Sequence, residues 1–197
     1  MGLVDRAKNI LLTPKEEWQV IASEEASAGS VITSYLVPLI LIASATWIIG
    51  ALIFGGTDGL MIAVIMAIGI VVIAILSVLI TSAVINALAP TFASEKNMGR
   101  ATQLVVYAMT PQLVGAILLF IPILGWLLFA VSGFYSIYLM YLGFGPMMKT
   151  PEDKTVIYMI VSLVALYVGM GILFAILSAI IVGIVGFGAA AVGGAGY

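Results

Sequence analysis

A bundle of membrane-spanning α-helices is the fold class this sequence predicts, and three observations predict it. Hydrophobic residues fill 63% of the 197 positions and charged residues only 8%, against roughly 45–50% and about 25% in a soluble domain. The seven basic and nine acidic side chains are too few to coat a soluble core of this size. They also fall in islands, at 5–25, at Asp58, at 95–100 and at 149–154, and the apolar stretches between are near the roughly 20 residues that a helix needs to cross a bilayer.

The first element is amphipathic. LVDRAKNILL puts Leu3, Ala7, Ile10 and Leu11 on one helical face, with Asp5, Arg6, Lys8 and Asn9 largely opposite. Together with Trp18 and Ile21 of the next segment, this helix either lies flat on the inner leaflet or docks on the cytoplasmic ends of the spans, and both placements fit the spacing. LTPKEEW then supplies Thr13 as N-cap, Pro14 at the first helical position and Glu16 three residues after the cap, a capping box. KTPEDKT repeats the phrase with Thr150, Pro151 and Asp153. Both phrases are expected to begin helices on the cytoplasmic face, their acids complementing the positive end of the helix dipole.

Five spans are expected, at about 31–54, 60–90, 101–121, 123–144 and 156–187. The third and fourth share one apolar run that is too long for a single crossing. FIPILGW at 120–126, with Pro122, Gly125 and Trp126, is the economical place for a hairpin. The domain plan is a cytoplasmic amphipathic segment at 1–30, a five-helix membrane domain at 31–187 and a Gly/Ala-rich outer tail at 188–197. With five crossings all seven basic residues share one side, so the positive-inside rule predicts a cytoplasmic N-terminus, an outer C-terminus and a multi-pass protein of the inner (plasma) membrane. The first thirty residues are polar and carry no cleavable signal pattern, so the first span is expected to direct insertion.

Composition also narrows the chemistry. With no cysteine and no histidine, thiolate and imidazole chemistry, and with them structural zinc, disulfides and His-based proton relays, are removed. The net charge of −2 offers no footprint for nucleic acid. The expected spans hold no Asp, Glu, Lys, Arg or His, the groups that mark proton pathways and supply general acids and bases. No catalytic, metal or cofactor residue is therefore assigned, and the protein is expected not to be an enzyme.

Uncharged polarity remains. Ser82 and Asn86 lie on one face of the second span. Tyr107, Thr110 and Gln112 interrupt the third, and Tyr135 and Tyr138 line the fourth. Pro111 cannot donate to the carbonyl of Tyr107, so a kink is expected there, with that carbonyl taking another partner. These groups either satisfy one another across helix interfaces or wall a polar cavity for a small solute or lipid headgroup. Along the fifth span Gly171, Ala175, Ala179 and Gly183 recur every four residues, a seam that admits a close helix partner from the same chain or from a second copy.

The order of INALAPTF (85–92), SEKN, YAMTP (107–111), IPILGW and YLGFGPMMKTPEDKT (141–155), with TPKEEW and the Tyr-x-x-Pro-Leu at Tyr35–Leu39 ahead of them, resembles the bacterial branch of the Yip (Ypt-interacting protein) family over nearly the whole chain. The resemblance implies a five-helix membrane domain with a cytosolic N-terminus. Eukaryotic relatives are known as partners of prenylated Rab-type GTPases and as membrane-shaping factors. The expected function is thus a non-enzymatic protein that organises membrane or protein partners, the bilayer, a cytoplasmic protein and a second copy being the partners, with no cofactor. The alternative is a channel or transporter with an uncharged polar path.

Overall fold

The computed structural model describes residues 1–121, 123–168, 171, 172 and 175, and at 54–59, 61 and 62 the backbone alone. Two ten-residue helices open the chain, α1 (Leu3–Leu12) and α2 (Pro14–Ser23). A single residue, Thr13, joins them, so the pair folds as a tight hairpin. Thr13 does not form the expected capping box: its hydroxyl donates to the carbonyl of Asn9 (3.2 Å) and closes α1 instead, while Pro14 begins α2. A short helix α3 (Ala28–Val31), capped by Ser27 through Ser30 N–H, leads through a π-turn at Ile32–Leu36 into α4 (Val37–Leu88). Pro38 cannot donate to the carbonyl of Ser34, and the widened turn lies directly before it.

A straight helix of 52 residues would be about 78 Å long, yet α4 is not straight. The helix after it, α5 (Met98–Ala108), is about 16 Å long. Its Tyr107 packs on Tyr35 just ahead of α4, with ring centroids 4.8 Å apart, while its Val105 shares a cavity wall with Thr81 from the far end of α4. The two arms therefore converge on one short helix, and the sequence between them carries Gly55, Gly56 and Gly59. A 3₁₀ turn (Ala89–Phe92), ending at Ala93 in left-handed conformation, connects to α5, which is capped by Asn97.

After α5 the chain breaks at Met109 and resumes as α6 (Thr110–Ile117). The cause is the one expected from Pro111, and the freed carbonyl of Tyr107 accepts a hydrogen bond from the Thr110 hydroxyl (2.7 Å). A hairpin where FIPILGW stands leads into α7 (Leu124–Met148), which packs along α6. Gly125 is needed there because a Cβ would strike the carbonyl of Leu118. α7 ends at Lys149 in left-handed conformation, and a last helix, α8, covers 152–168. Thr150 is not its cap: the Thr150 hydroxyl accepts from Ser94 (2.8 Å), and the helix begins after Pro151 with Asp153 exposed in its first turn.

Three stretches among the described residues are long and apolar enough to cross a membrane, Ala28–Ile53, Ala63–Phe92 and Leu124–Met148. This corrects the expected five. The predicted span at 101–121 is two helices of 11 and 8 residues, each too short to cross, and every residue from Ala101 to Ala108 is buried by protein. The predicted span at 156–187 is seen only in part. Gly171 and Ala175 are helical and exposed, whereas Ala179, Gly183 and the tail at 188–197 lie outside the described residues.

The α1–α2 hairpin docks on the bundle rather than lying with its apolar face in lipid. Ile10, Trp18 and Ile21 are fully buried in one cluster with Leu36, Leu104, Leu139 and Phe144. Trp18 meets Tyr107 edge to face at 6.4 Å. Its other edge lies against Gly143, where a Cβ would come within 2.8 Å of two indole carbons and 2.5 Å of Leu104 Cδ1. Replacing Gly143 by alanine is therefore expected to destabilise the fold by about 1–3 kcal/mol, as overpacking of a filled core does. Gly145→Ala, which meets nothing within 4 Å, should leave stability unchanged or slightly higher. Thermal unfolding of both variants in detergent separates them, and equal melting temperatures would refute the tight Trp18 seat.

Candidate functional site

One end of the bundle gathers the charges of four separate segments. On α1, Arg6 sits three residues after Leu3 and four before Ile10, so it belongs to the stripe that faces inward, and it is buried together with Ala7 and Ile10. On α2, Glu17 lies beside Trp18 and is buried with it. Arg6 donates to Glu17 (2.5 Å) and to Glu24, and its guanidinium lies 5.6 Å from the centre of the Tyr107 ring. Burial opposes the charge on Arg6, but the hydrogen bond to Glu24 and the charges of Glu24 and Glu17 outweigh it and raise its pKa.

From the other side Arg100, in the first turn of α5, donates to the carbonyls of Ile21 (2.9 Å) and Glu24 (2.7 Å), while Gln103 donates to that of Glu25 (3.0 Å). At the C-terminus of α2, where carbonyls run short of helical partners, the guanidinium takes the carbonyl of Glu24 and adds a second bond to that of Ile21, which also accepts from Glu24 N–H (3.1 Å). Lys149 pairs with Glu95 at the exposed edge (2.7 Å). Gly99 permits the close approach of α5 to the segment after α2, since a Cβ there would lie 2.6 Å from the carbonyl of Ala26.

The outward surface of this end differs from the rest. Counting from the ends at Ala28, Phe92 and Met148, exposed positions are polar or small over about thirteen residues of each candidate span, or about 20 Å at 1.5 Å per residue. Large apolar side chains become exposed at Leu41 and beyond, at Leu79 and before it, and at Phe134 and before it. Tyr138 and Tyr141 are half-exposed next to that transition. α8 is the exception, for it exposes Val156 and Ile157 close to its start, beside the exposed Glu152 and Asp153.

At the level of the transition is a cavity of about 290 Å³, walled by α4, α5, α6, α7 and α8. Its lining is mainly apolar, with Ser77, Thr81, Gln112 and Ser136 as the polar groups. Ser77 and Thr81 donate to carbonyls of their own helix, at Ile73 and Ser77. The Ser136 hydroxyl is buried with no partner among the described residues.

The residues expected to form one polar network are thus distributed over several places. Gln112 lines the cavity. Thr110 binds Tyr35 (2.9 Å) and the Tyr107 carbonyl, and Tyr107 itself faces Arg6 and Trp18. Ser82 donates back to Val78, and Asn86 keeps a buried Oδ1 with no partner among the described residues. Tyr135 donates to the carbonyl of Leu11 (2.7 Å) and stacks with Tyr138 at 5.8 Å. Sequence reasoning missed Arg6, Glu17, Arg100 and Gln103. Arg6 was readable from its i+3 and i−4 relation to Leu3 and Ile10; the two α5 residues carry no local signal, because their partners are more than 70 residues away.

Removing one member of the buried pair tests its energetics. Arg6→Ala leaves Glu17 buried without its partner and should cost about 3–5 kcal/mol, while the double replacement Arg6→Met with Glu17→Leu should recover most of that loss. Detergent melting curves of the two variants are the measurement, and equal losses in both would show that the charges are not coupled.

A family model described as the Yip1 domain matches residues 8–173, which takes in the hairpin from Lys8 onward, the three candidate spans and α8. No curated protein matches the chain, and no solved structure does. The match covers most of the sequence, and the apolar helices, the docked hairpin and the charged end all lie within it or at its edge: the chain belongs to the Yip1 domain family of membrane proteins.

Proposed function

We propose that the protein organises membrane or protein partners without catalysing a reaction, working as a multi-pass scaffold of the inner (plasma) membrane. The observation that carries this reading is the charged end, where the three candidate spans expose polar or small groups in place of large apolar ones. Arg6 with Glu17 and Glu24 closes the hairpin on itself, and Arg100 and Gln103 tie its end to α5, so these groups bind structure rather than surround an open pocket. The outward surface of the charged end at α8 combines the apolar Val156 and Ile157 with Glu152 and Asp153, chemistry suited to a protein partner. Arg6, Lys96, Arg100, Lys149 and Lys154 belong to this end, so the positive-inside rule makes it the cytoplasmic one. Self-association through the exposed Gly171 and Ala175 is part of the same proposal.

A cysteine-free chain makes the test direct. Asp153→Cys in intact cells should resist an impermeant maleimide. With a permeant photo-crosslinking maleimide it should capture a protein, whereas the lipid-facing Phe134→Cys should capture none. Labelling of Asp153→Cys from outside, or identical crosslinks at both positions, would overturn the proposal.

The cavity beside Gln112 favours a second reading, passage of a small neutral solute or a lipid. If that reading holds, liposomes carrying the protein pass glycerol faster than empty ones, and Gln112→Leu lowers the flux several-fold at unchanged melting temperature. Flux equal to that of empty liposomes supports the scaffold.

A further inference from the structure

The corner of the N-terminal hairpin lies at the height where the bundle surface turns apolar. Tyr135, whose hydroxyl holds the carbonyl of Leu11, is 13 residues before the end of α7, or about 20 Å along it. That is the same height at which Leu41, Leu79 and Phe134 begin the exposed apolar surface of the three candidate spans. α1 also contacts α6, the helix that follows α5. At this corner Leu12 is 69% exposed, while α1 turns Ala7 and Ile10 inward. Tyr138 stacks on Tyr135 and is 44% exposed beside it. Half-exposed tyrosines are the side chains that settle at the boundary between headgroups and acyl chains.

We propose that the α1–α2 corner is a phospholipid-interface anchor, with Leu12 entering the upper acyl region at the level of Tyr138. Lys15 and Glu16 are both exposed on the first turn of α2 and cancel in charge. The apolar side chain, not Coulomb attraction to anionic lipid, therefore supplies the contact, and zwitterionic lipid suffices. The inference adds to the docked hairpin a second contact on its outward side: the inward stripe holds protein, and the corner holds lipid.

Nitroxide labels on single cysteines test it in the full chain reconstituted into phosphatidylcholine vesicles. A label at Leu12→Cys should collide more often with oxygen than with a water-soluble nickel chelate. Labels at Val4→Cys and Val20→Cys, exposed elsewhere on the hairpin, should show the reverse. Tyr138→Cys should report the same depth as Leu12→Cys, and adding phosphatidylglycerol should not change either. A Leu12 label as open to the chelate as the Val4 label, or a depth differing from Tyr138 by more than one helical turn, about 5 Å, would overturn the anchor. All four positions are exposed enough to tolerate the replacement, and a melting curve equal to that of the parent confirms that each fold is intact.

Discussion

The seat of Trp18 against Gly143 is the constraint on which the arrangement depends. A fully buried indole beside a backbone with no side chain fixes the distance between α2 and α7. The same indole meets Tyr107 edge to face, and the Arg6 guanidinium lies near that ring, so the seat also sets where the hairpin meets α5. The close approach also leaves Trp18 Nε1 buried with no partner among the described residues, a cost of roughly 1–3 kcal/mol that the surrounding burial must outweigh. The hairpin is thus bound by a few large side chains in fixed places rather than by a greasy face in general.

Around that seat, polarity is distributed by a simple rule. The hydroxyls of Ser77, Thr81 and Ser82 return their hydrogen bonds to carbonyls of the preceding turn, so they ask nothing of lipid, whereas those of Ser44, Ser136 and Ser162 are buried with no partner among the described residues. Where the backbone itself is interrupted, a side chain repairs it: Thr110 takes the carbonyl freed by Pro111, and Arg100 takes those at the end of α2. Tyr158 reaches the carbonyl of Ile85 and stacks on Phe92, joining α8 to the final turn of α4. The ion pairs among the described residues lie at one end, where each joins separate segments.

Much of the fold was legible in the sequence because membrane helices announce themselves by composition. The apolar stretches, the reversal at FIPILGW and the interruption before Pro111 follow from residue type alone. What could not be read was which apolar stretch faces lipid and which faces protein. Residues 101–117 hold Thr102, Gln103, Thr110 and Gln112 among their apolar residues, and α5 is enclosed by the hairpin, α4 and α7, an enclosure set by distant segments. The repeated Thr-Pro-acid phrase misled for a related reason. Thr13 and Thr150 each had a better tertiary or neighbouring-helix partner than the cap that local chemistry offered, and Ser94, the partner of Thr150, is 56 residues away. For the candidate site, Gln112 was named from the sequence and lines the cavity, whereas the ion pair of Arg6 and Glu17 requires knowing that two short helices fold face to face.

The docked hairpin also sets a timetable. Its partners on α7 are made 125 residues after Trp18, the separation between positions 18 and 143. At bacterial or eukaryotic synthesis speeds the nascent segment waits on the order of ten seconds, with its indole and isoleucines uncovered, before Gly143 leaves the ribosome. The hairpin therefore stays open until α7 has been made, and α7 supplies the surface that covers it.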